Sequence, residues 1–201
     1  MSKVAITGNA SGAGVFTIAS PNSATDRTLT LPDETGTVVT TASLYPLTSG
    51  TAVATTSGTA IDFTGIPSWV KRITMSWSAV GTNGNSGYLL QIGTSGGIQN
   101  SGYVGTGTYV GGGAASVNFS SGFRLNTGAA TIKLQGIITF TLLDAASGVW
   151  CMSASLGNSD VAYMRLSGGY KTLSGTLDRV RITTENGTDI YNSGAANIMY
   201  E

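Results

Sequence analysis

From residue 57 to the last residue of the sequence, apolar and polar positions repeatedly alternate one for one. In ATIKLQGIITFTLL, Ile132, Leu134, Ile138, Phe140 and Leu142 fall on one side of an extended chain, and Lys133, Gln135, Thr139 and Thr141 on the other. That two-residue period marks a strand with one buried face. Gly136 falls in phase with the apolar set, where a bulge or a close approach is expected. RITMSWSAV repeats the pattern, with Ile73, Met75, Trp77 and Ala79 set against Arg72, Thr74, Ser76 and Ser78. SGYLLQIG groups Tyr88, Leu90 and Ile92, and SVNFSSGFRLN keeps Val117, Phe119, Phe123 and Leu125 in phase across a Ser-Ser-Gly interruption. Further strands are predicted at GVWCMSAS, DVAYMRLS, TLDRVRITT and AANIMYE. Asn186-Gly187, between β-prone flanks, signals a two-residue hairpin. No segment sustains a helical period. Roughly eight or more strands joined by polar turns predict an all-β fold, an antiparallel β-sandwich or jelly roll.

The first 45 residues read differently. VFTIAS, RTLTLP and GTVVTT are short β-prone pieces separated by turn-rich stretches. Their apolar residues, Val15, Phe16, Ile18, Leu29, Leu31, Val38 and Val39, are too few to build a core in one chain. Such residues find partners in neighbouring copies or in another protein. Pro32 ends the Leu29–Leu31 piece because it lacks a donor, and Asp33 to Gly36 can turn the chain. The expected organisation is an extended β-rich attachment or oligomerisation segment over 1–45, a linker over 46–56 and a β-sandwich domain over 57–201.

Composition narrows the chemistry. Charged residues are 10 % of the chain and cancel to a net charge of zero, so the wetted surface must come from Ser, Thr, Asn and Gly. Neutrality argues against nucleic acid, which calls for a basic face. Lys71-Arg72 and the alternating Arg179 and Arg181 read as solvated strand faces. A single cysteine rules out an internal disulfide framework, and Cys151, inside GVWCMSAS, is expected to be a buried, inert thiol. MSKVAITGNAS lacks the apolar core of a signal peptide and no run approaches a membrane span, so cytoplasmic synthesis without membrane insertion is expected.

There is no histidine, which removes Ser-His-Asp and Cys-His arrangements and histidine-based zinc sites. GTGTYVGGG is glycine-rich but does not join a strand to a helix, so it is no phosphate cradle. No cofactor or metal is expected. A carboxylate pair is the one enzymatic option left, drawn from Asp62, Asp144, Asp160, Asp178, Glu185 and Asp189. Turn capping accounts for Asp144 and Asp160, and pairing with a strand neighbour for Asp178. Aromatic recognition of a glycan is better founded. GGIQNSGYVGTGTYVGGGAAS reads as a long irregular loop that exposes Tyr103 and Tyr109, the alternative being that both pack beneath their own loop or against a neighbouring subunit. Trp69, Trp77 and Trp150 sit in strand contexts and are read as core or interface residues.

GVFTIASPNSATDRTLTLPDETGTVVTT, within residues 14–41, resembles a segment that recurs in tail-fibre and related virion proteins of tailed bacteriophages. IDFTGIPSWVKRITMSW, LDRVRITTENGTDIYNSG and NIMYE resemble the C-terminal domain that often follows it. The resemblance implies a non-enzymatic virion structural protein, a homotrimer anchored through its N-terminal segment to other virion proteins, with a β-rich head. A short tail fibre, a receptor-binding tip that recognises a host surface glycan, and a capsid or head fibre or decoration protein all remain open. The chain lacks the long repetitive shaft of a host-reaching fibre.

Overall fold

The computed structural model describes residues 47–111, 114–125 and 129–201, together with 11–15, 17, 19, 22–26, 28 and 30. The chain divides into two compact units, residues 1–38 and 39–201. In the first, the described residues are all solvent-exposed and none is in a strand; Val15 is 91 % exposed. Phe16, Ile18, Leu29, Leu31, Val38 and Val39 lie outside the described residues.

The second unit is an antiparallel β-sandwich. Its strands are β1 (Thr48–Ser49), β2 (Val53–Ala54), β3 (Ile61–Phe63), β4 (Arg72–Thr82), β5 (Tyr88–Thr94), β6 (Gly97–Ile98) and β7 (Tyr103–Val110). They continue with β8 (Ala114–Phe119), β9 (Phe123–Leu125), β10 (Leu134–Asp144), β11 (Val149–Asn158), β12 (Met164–Thr172), β13 (Arg179–Thr184) and β14 (Tyr191–Tyr200). A nine-stranded sheet runs β1-β14-β4-β10-β11-β12-β7-β8, with β2 beside β1 on the edge of β14. A five-stranded sheet runs β3-β13-β5-β6, with β9 also on β5. The core lies between them. Phe140 and Ile138 from the large sheet and Leu90, Ile92, Val180 and Ile182 from the small one are fully buried. Trp77 meets Tyr88 edge-on at 5.6 Å, and Phe123 meets Phe140 at 5.9 Å. Such edge-to-face pairs add about 0.5–1.5 kcal/mol beyond the area they bury.

Alternation chose the buried faces correctly where it ran unbroken, as at Leu134, Ile138 and Phe140. Gly136 is the expected irregularity. Its φ is +140°, the register shifts beside it, and a Cβ there would come within 2.5 Å of the Ser155 carbonyl oxygen. The matching extra residue lies on β4, where Ala79 has φ +52°. Beyond that bulge Val80, not Ala79, takes the buried position. An inserted residue reverses the phase of everything after it.

Three expectations about organisation are corrected. The expected linker over 46–56 is not simply a linker in its described part, 47–56: β1 and β2 both pair with β14, and the fully buried Thr55 donates its hydroxyl to the Ser193 carbonyl at 2.6 Å. The turn at Asn186-Gly187 exists, with the Gly187 amide donating to the Thr184 carbonyl at 3.1 Å, but β13 and β14 belong to different sheets. It is a crossing between layers, not a hairpin. Asn186 Oδ1 holds it by accepting from the Thr188 and Asp189 amides at 3.0 and 3.2 Å. The Ser-Ser-Gly interruption crosses in the same way, so Phe119 and Phe123 meet in the core from opposite layers, 5.9 Å apart.

Candidate functional site

The segment read as an exposed recognition loop is mostly strand, because β7 and β8 pair in register from Gly105↔Phe119 to Val110↔Ala114. This places the two tyrosines very differently. Tyr103 is 2 % exposed, packed edge-on against Phe123 at 4.9 Å. Its hydroxyl accepts from the Ile92 amide at 2.8 Å and donates to the Gln99 carbonyl at 2.7 Å. Burial holds the Tyr103 phenol well above its ordinary pKa, with the Ile92 hydrogen bond acting in the opposite direction. Tyr103 is a core residue and offers no face to a sugar. The glycines around it explain the misreading. A Cβ on Gly105 would lie 2.4 Å from the Phe119 ring and from the Gly168 carbonyl oxygen. The missing side chains therefore make room for Phe119 and for a close-packed sheet, not for an irregular loop.

Tyr109 is half-buried on the inner face. It stacks on Tyr163, centroids 5.5 Å apart and planes 22° from parallel, and the Arg165 guanidinium lies 4.9 Å from its centroid. Arg165 Nε also donates to Asn158 Oδ1 at 3.0 Å. Arg165 is 3 % exposed, and burial pulls its pKa below the ordinary value while Tyr109, Asp160 and Tyr163 act to restore it. The sequence reading named Tyr109 but missed Tyr163, Arg165 and Asn158. The register Arg165↔Tyr109 is what joins them, and no local motif announces it.

That register exposes a general property of β12. Its inward positions include Arg165 and Lys171, while Met164, Leu166 and Tyr170 face outward and are 40–45 % exposed. Lys171 sits 5.7 Å from the Tyr103 ring centroid, and burial lowers its pKa. The polarity of this strand is thus inverted relative to an ordinary sandwich strand. On the same outer face, Val110 pairs with Met164 and Val104 with Tyr170. Cys151 also sits there, opposite Tyr170, and is partly exposed, which corrects its expected burial.

The carboxylates are tied to separate partners. Asp62 accepts two hydrogen bonds from Arg181 at 2.7 Å, and Glu185 pairs with Arg124 at 2.8 Å. Asp178 takes its neighbour Arg179 at 2.7 Å. Asp144 caps the turn that follows β10. Its hydrogen bonds with the Ser147 side chain and the Ala146 and Ser147 amides lower its pKa. Asp160 lies 3.5 Å from Asn158 Nδ2, and Asp189 accepts from the Ser86 amide and the Asn186 side chain. Ion pairs hold Asp62, Asp178 and Glu185, a turn holds Asp144, and side-chain or amide hydrogen bonds hold Asp160 and Asp189.

Trp77 and Trp150 are buried and Trp69 packs at the core margin, 5.8 Å from Tyr200. A groove of about 390 Å³ with several polar side chains lies on the outer face of the small sheet. Gln91, Asn100, Ser121, Arg181, Thr183 and Glu185 contribute its polar side chains, with the half-buried Ile98 beside them and the buried Leu89 beneath. Among the described residues no group of three or more Asp, Glu, His or Cys converges as a metal site. No family model matches the chain, and neither a curated protein nor a solved structure matches it.

Proposed function

We propose that the chain is a non-enzymatic structural component of a tailed-phage particle, a short tail fibre or fibre-like appendage. Residues 1–45 attach it to other virion proteins, and the sandwich is its displayed head. Three copies make the assembly, as the resemblance implies. The observation that carries this reading is the string RTLTLPDETGTV placed ahead of a sandwich with its own complete core. A polar, β-branched segment with few apolar residues gains most by pairing its open backbone with another edge. Carboxylates committed to turns and ion pairs are what a structural head requires, and they fit a hydrolase poorly.

The test is incorporation. Replacing Leu29 and Leu31 by Ser should lower the amount of chain in purified particles while the sandwich stays folded, measured by immunoblot and circular dichroism. Unchanged incorporation would overturn the attachment role.

Recognition of a host surface glycan by the same head is a second reading, favoured by the groove on the small sheet. Hydroxyl-rich ligands need several convergent donors and acceptors beside a little apolar surface, and Asn100, Ser121, Thr183 and Arg181 line the groove with Ile98. A glycan array probed with the full chain should give signals that Asn100→Ala and Thr183→Ala abolish. Signals indifferent to both variants would remove the groove from the reading.

A further inference from the structure

We infer that the outer face of the nine-stranded sheet is where one copy of this chain packs against a second copy. The inference starts from the inverted strand β12 and does not depend on the virion reading. Met164, Leu166 and Tyr170 point away from the core, and Val104, Val110 and Ile137 extend the same patch over β7 and β10. These six side chains are between 40 and 53 % exposed. A strand that turns Arg165 and Lys171 inward and its apolar residues outward gives up burial in a lone chain. A further layer over the outer face restores it.

The size and chemistry of the face select the occupant. Strands about 4.8 Å apart from β14 to β8, with outward positions about 6.7 Å apart, give a projected area of roughly 800 Å². That is about what each partner contributes to a stable protein interface. The outward positions between the apolar ones are mainly Ser, Thr and Gly, including Ser153, Ser155, Thr106 and Gly168. Among the described outward strand positions the charged side chains, Arg72 and Asp144, lie at the end of the sheet, where Arg72 pairs with Glu201 and Asp144 caps its turn. A face without charge at its centre meets its own copy without repulsion, whereas a foreign partner is ordinarily selected by charge complementarity. Gly168, between Leu166 and Tyr170, leaves room for an apolar side chain of a neighbouring copy. A second copy therefore fits this surface better than an unrelated protein.

Cys151 makes the contact measurable, because it is the sole cysteine and lies within the face between Thr141 and Tyr170. The experiment follows alkylation of Cys151 in the full chain by a maleimide, alongside sedimentation mass. In Leu166→Asp, alkylation should run roughly tenfold or more faster than in the unaltered chain, because thiol reactivity follows exposure. Ser95→Asp, in the exposed turn between β5 and β6 of the other sheet, should leave the rate unchanged. Should residues 1–45 hold the copies together by themselves, the mass of Leu166→Asp would stay high while Cys151 still became reactive, which supports the inference. Equal alkylation rates in the unaltered chain and in Leu166→Asp, or a monomeric unaltered chain at micromolar concentration, would overturn it.

Discussion

The Arg165 guanidinium lies 4.9 Å from the Tyr109 ring centroid inside the sandwich, and Asn158 Oδ1 accepts from its Nε. Among the described residues no carboxylate forms a salt bridge with it. A buried cation so held depends on each neutral partner. Asn158→Ala should therefore cost about 1–3 kcal/mol, the usual penalty for stripping a partner from a buried polar group. Arg165→Met, which removes the charge and keeps the stem, should be neutral or stabilising. Urea unfolding of both variants checks the pair, and a neutral Asn158→Ala would show that solvent satisfies Arg165.

Neighbouring residues on β10 should behave oppositely. Ile138 is fully buried and Ile137 is 53 % exposed. Ile138→Asp places an unpaired charge in the core and should abolish soluble expression. Ile137→Asp should fold with a melting temperature within a few degrees of the unaltered chain, a loss of about 0.5 kcal/mol or less in the protomer. Soluble, folded Ile138→Asp would mean the strand faces are reversed.

Truncation locates the beginning of the sandwich. Removing residues 1–45 should leave a cooperatively folding domain. Removing 1–56 also deletes β1 and β2 and the Thr55 hydrogen bond to Ser193, leaving the edge of β14 open. Loss of that bond and the paired edge should cost about 2–4 kcal/mol, from a few hydrogen bonds of about 1 kcal/mol each. Calorimetric melting of residues 46–201 and 57–201 compares them. Equal stability would make 46–56 a linker after all.

Alkaline pH should unfold the sandwich. Burial raises the pKa of Tyr88, Tyr103 and Tyr191 in the folded chain. Below about pH 10 these phenols are protonated in both states and their burial contributes its full stability. Above it the unfolded chain releases protons that the folded chain retains, so stability falls by up to about 1.4 kcal/mol per pH unit for each tyrosine. Phenolate absorbance should rise in step with loss of near-ultraviolet circular dichroism. Ionisation of all tyrosines at pH 10 without unfolding would contradict the burial.

Strand faces were legible in the sequence because burial on one side of a strand writes itself as alternation, and Leu134, Ile138 and Phe140 carry that record plainly. Layer assignment was not legible. Phe119 and Phe123 are in phase along the chain yet reach the core from opposite sheets, and the Asn186-Gly187 turn changes layer instead of reversing within one. Both facts depend on long-range pairing that no local pattern encodes. The sequence pattern puts Tyr103 in a loop because runs of glycine resemble loop sequence, whereas Gly105 and Gly169 make room for Phe119 inside the sheet. In β12 the inward placement of Arg165 and Lys171 is set by the partners they find, Tyr109, Asn158 and Tyr103, and each of these lies outside the strand.

The position of β14 has a consequence for how the protein is made. Residues 191–200 pair with β4 on one side and with β1 and β2 on the other, so Thr48 waits for Tyr200 across most of the sequence. During synthesis β10 can join β4 as soon as it leaves the ribosome, but the other edge of β4 stays open until β14 emerges. Contacts this distant along the chain fold slowly, and an open edge in a nascent chain invites pairing with a neighbour on the same messenger. Each chain thus leaves the ribosome with its largest sheet completed last.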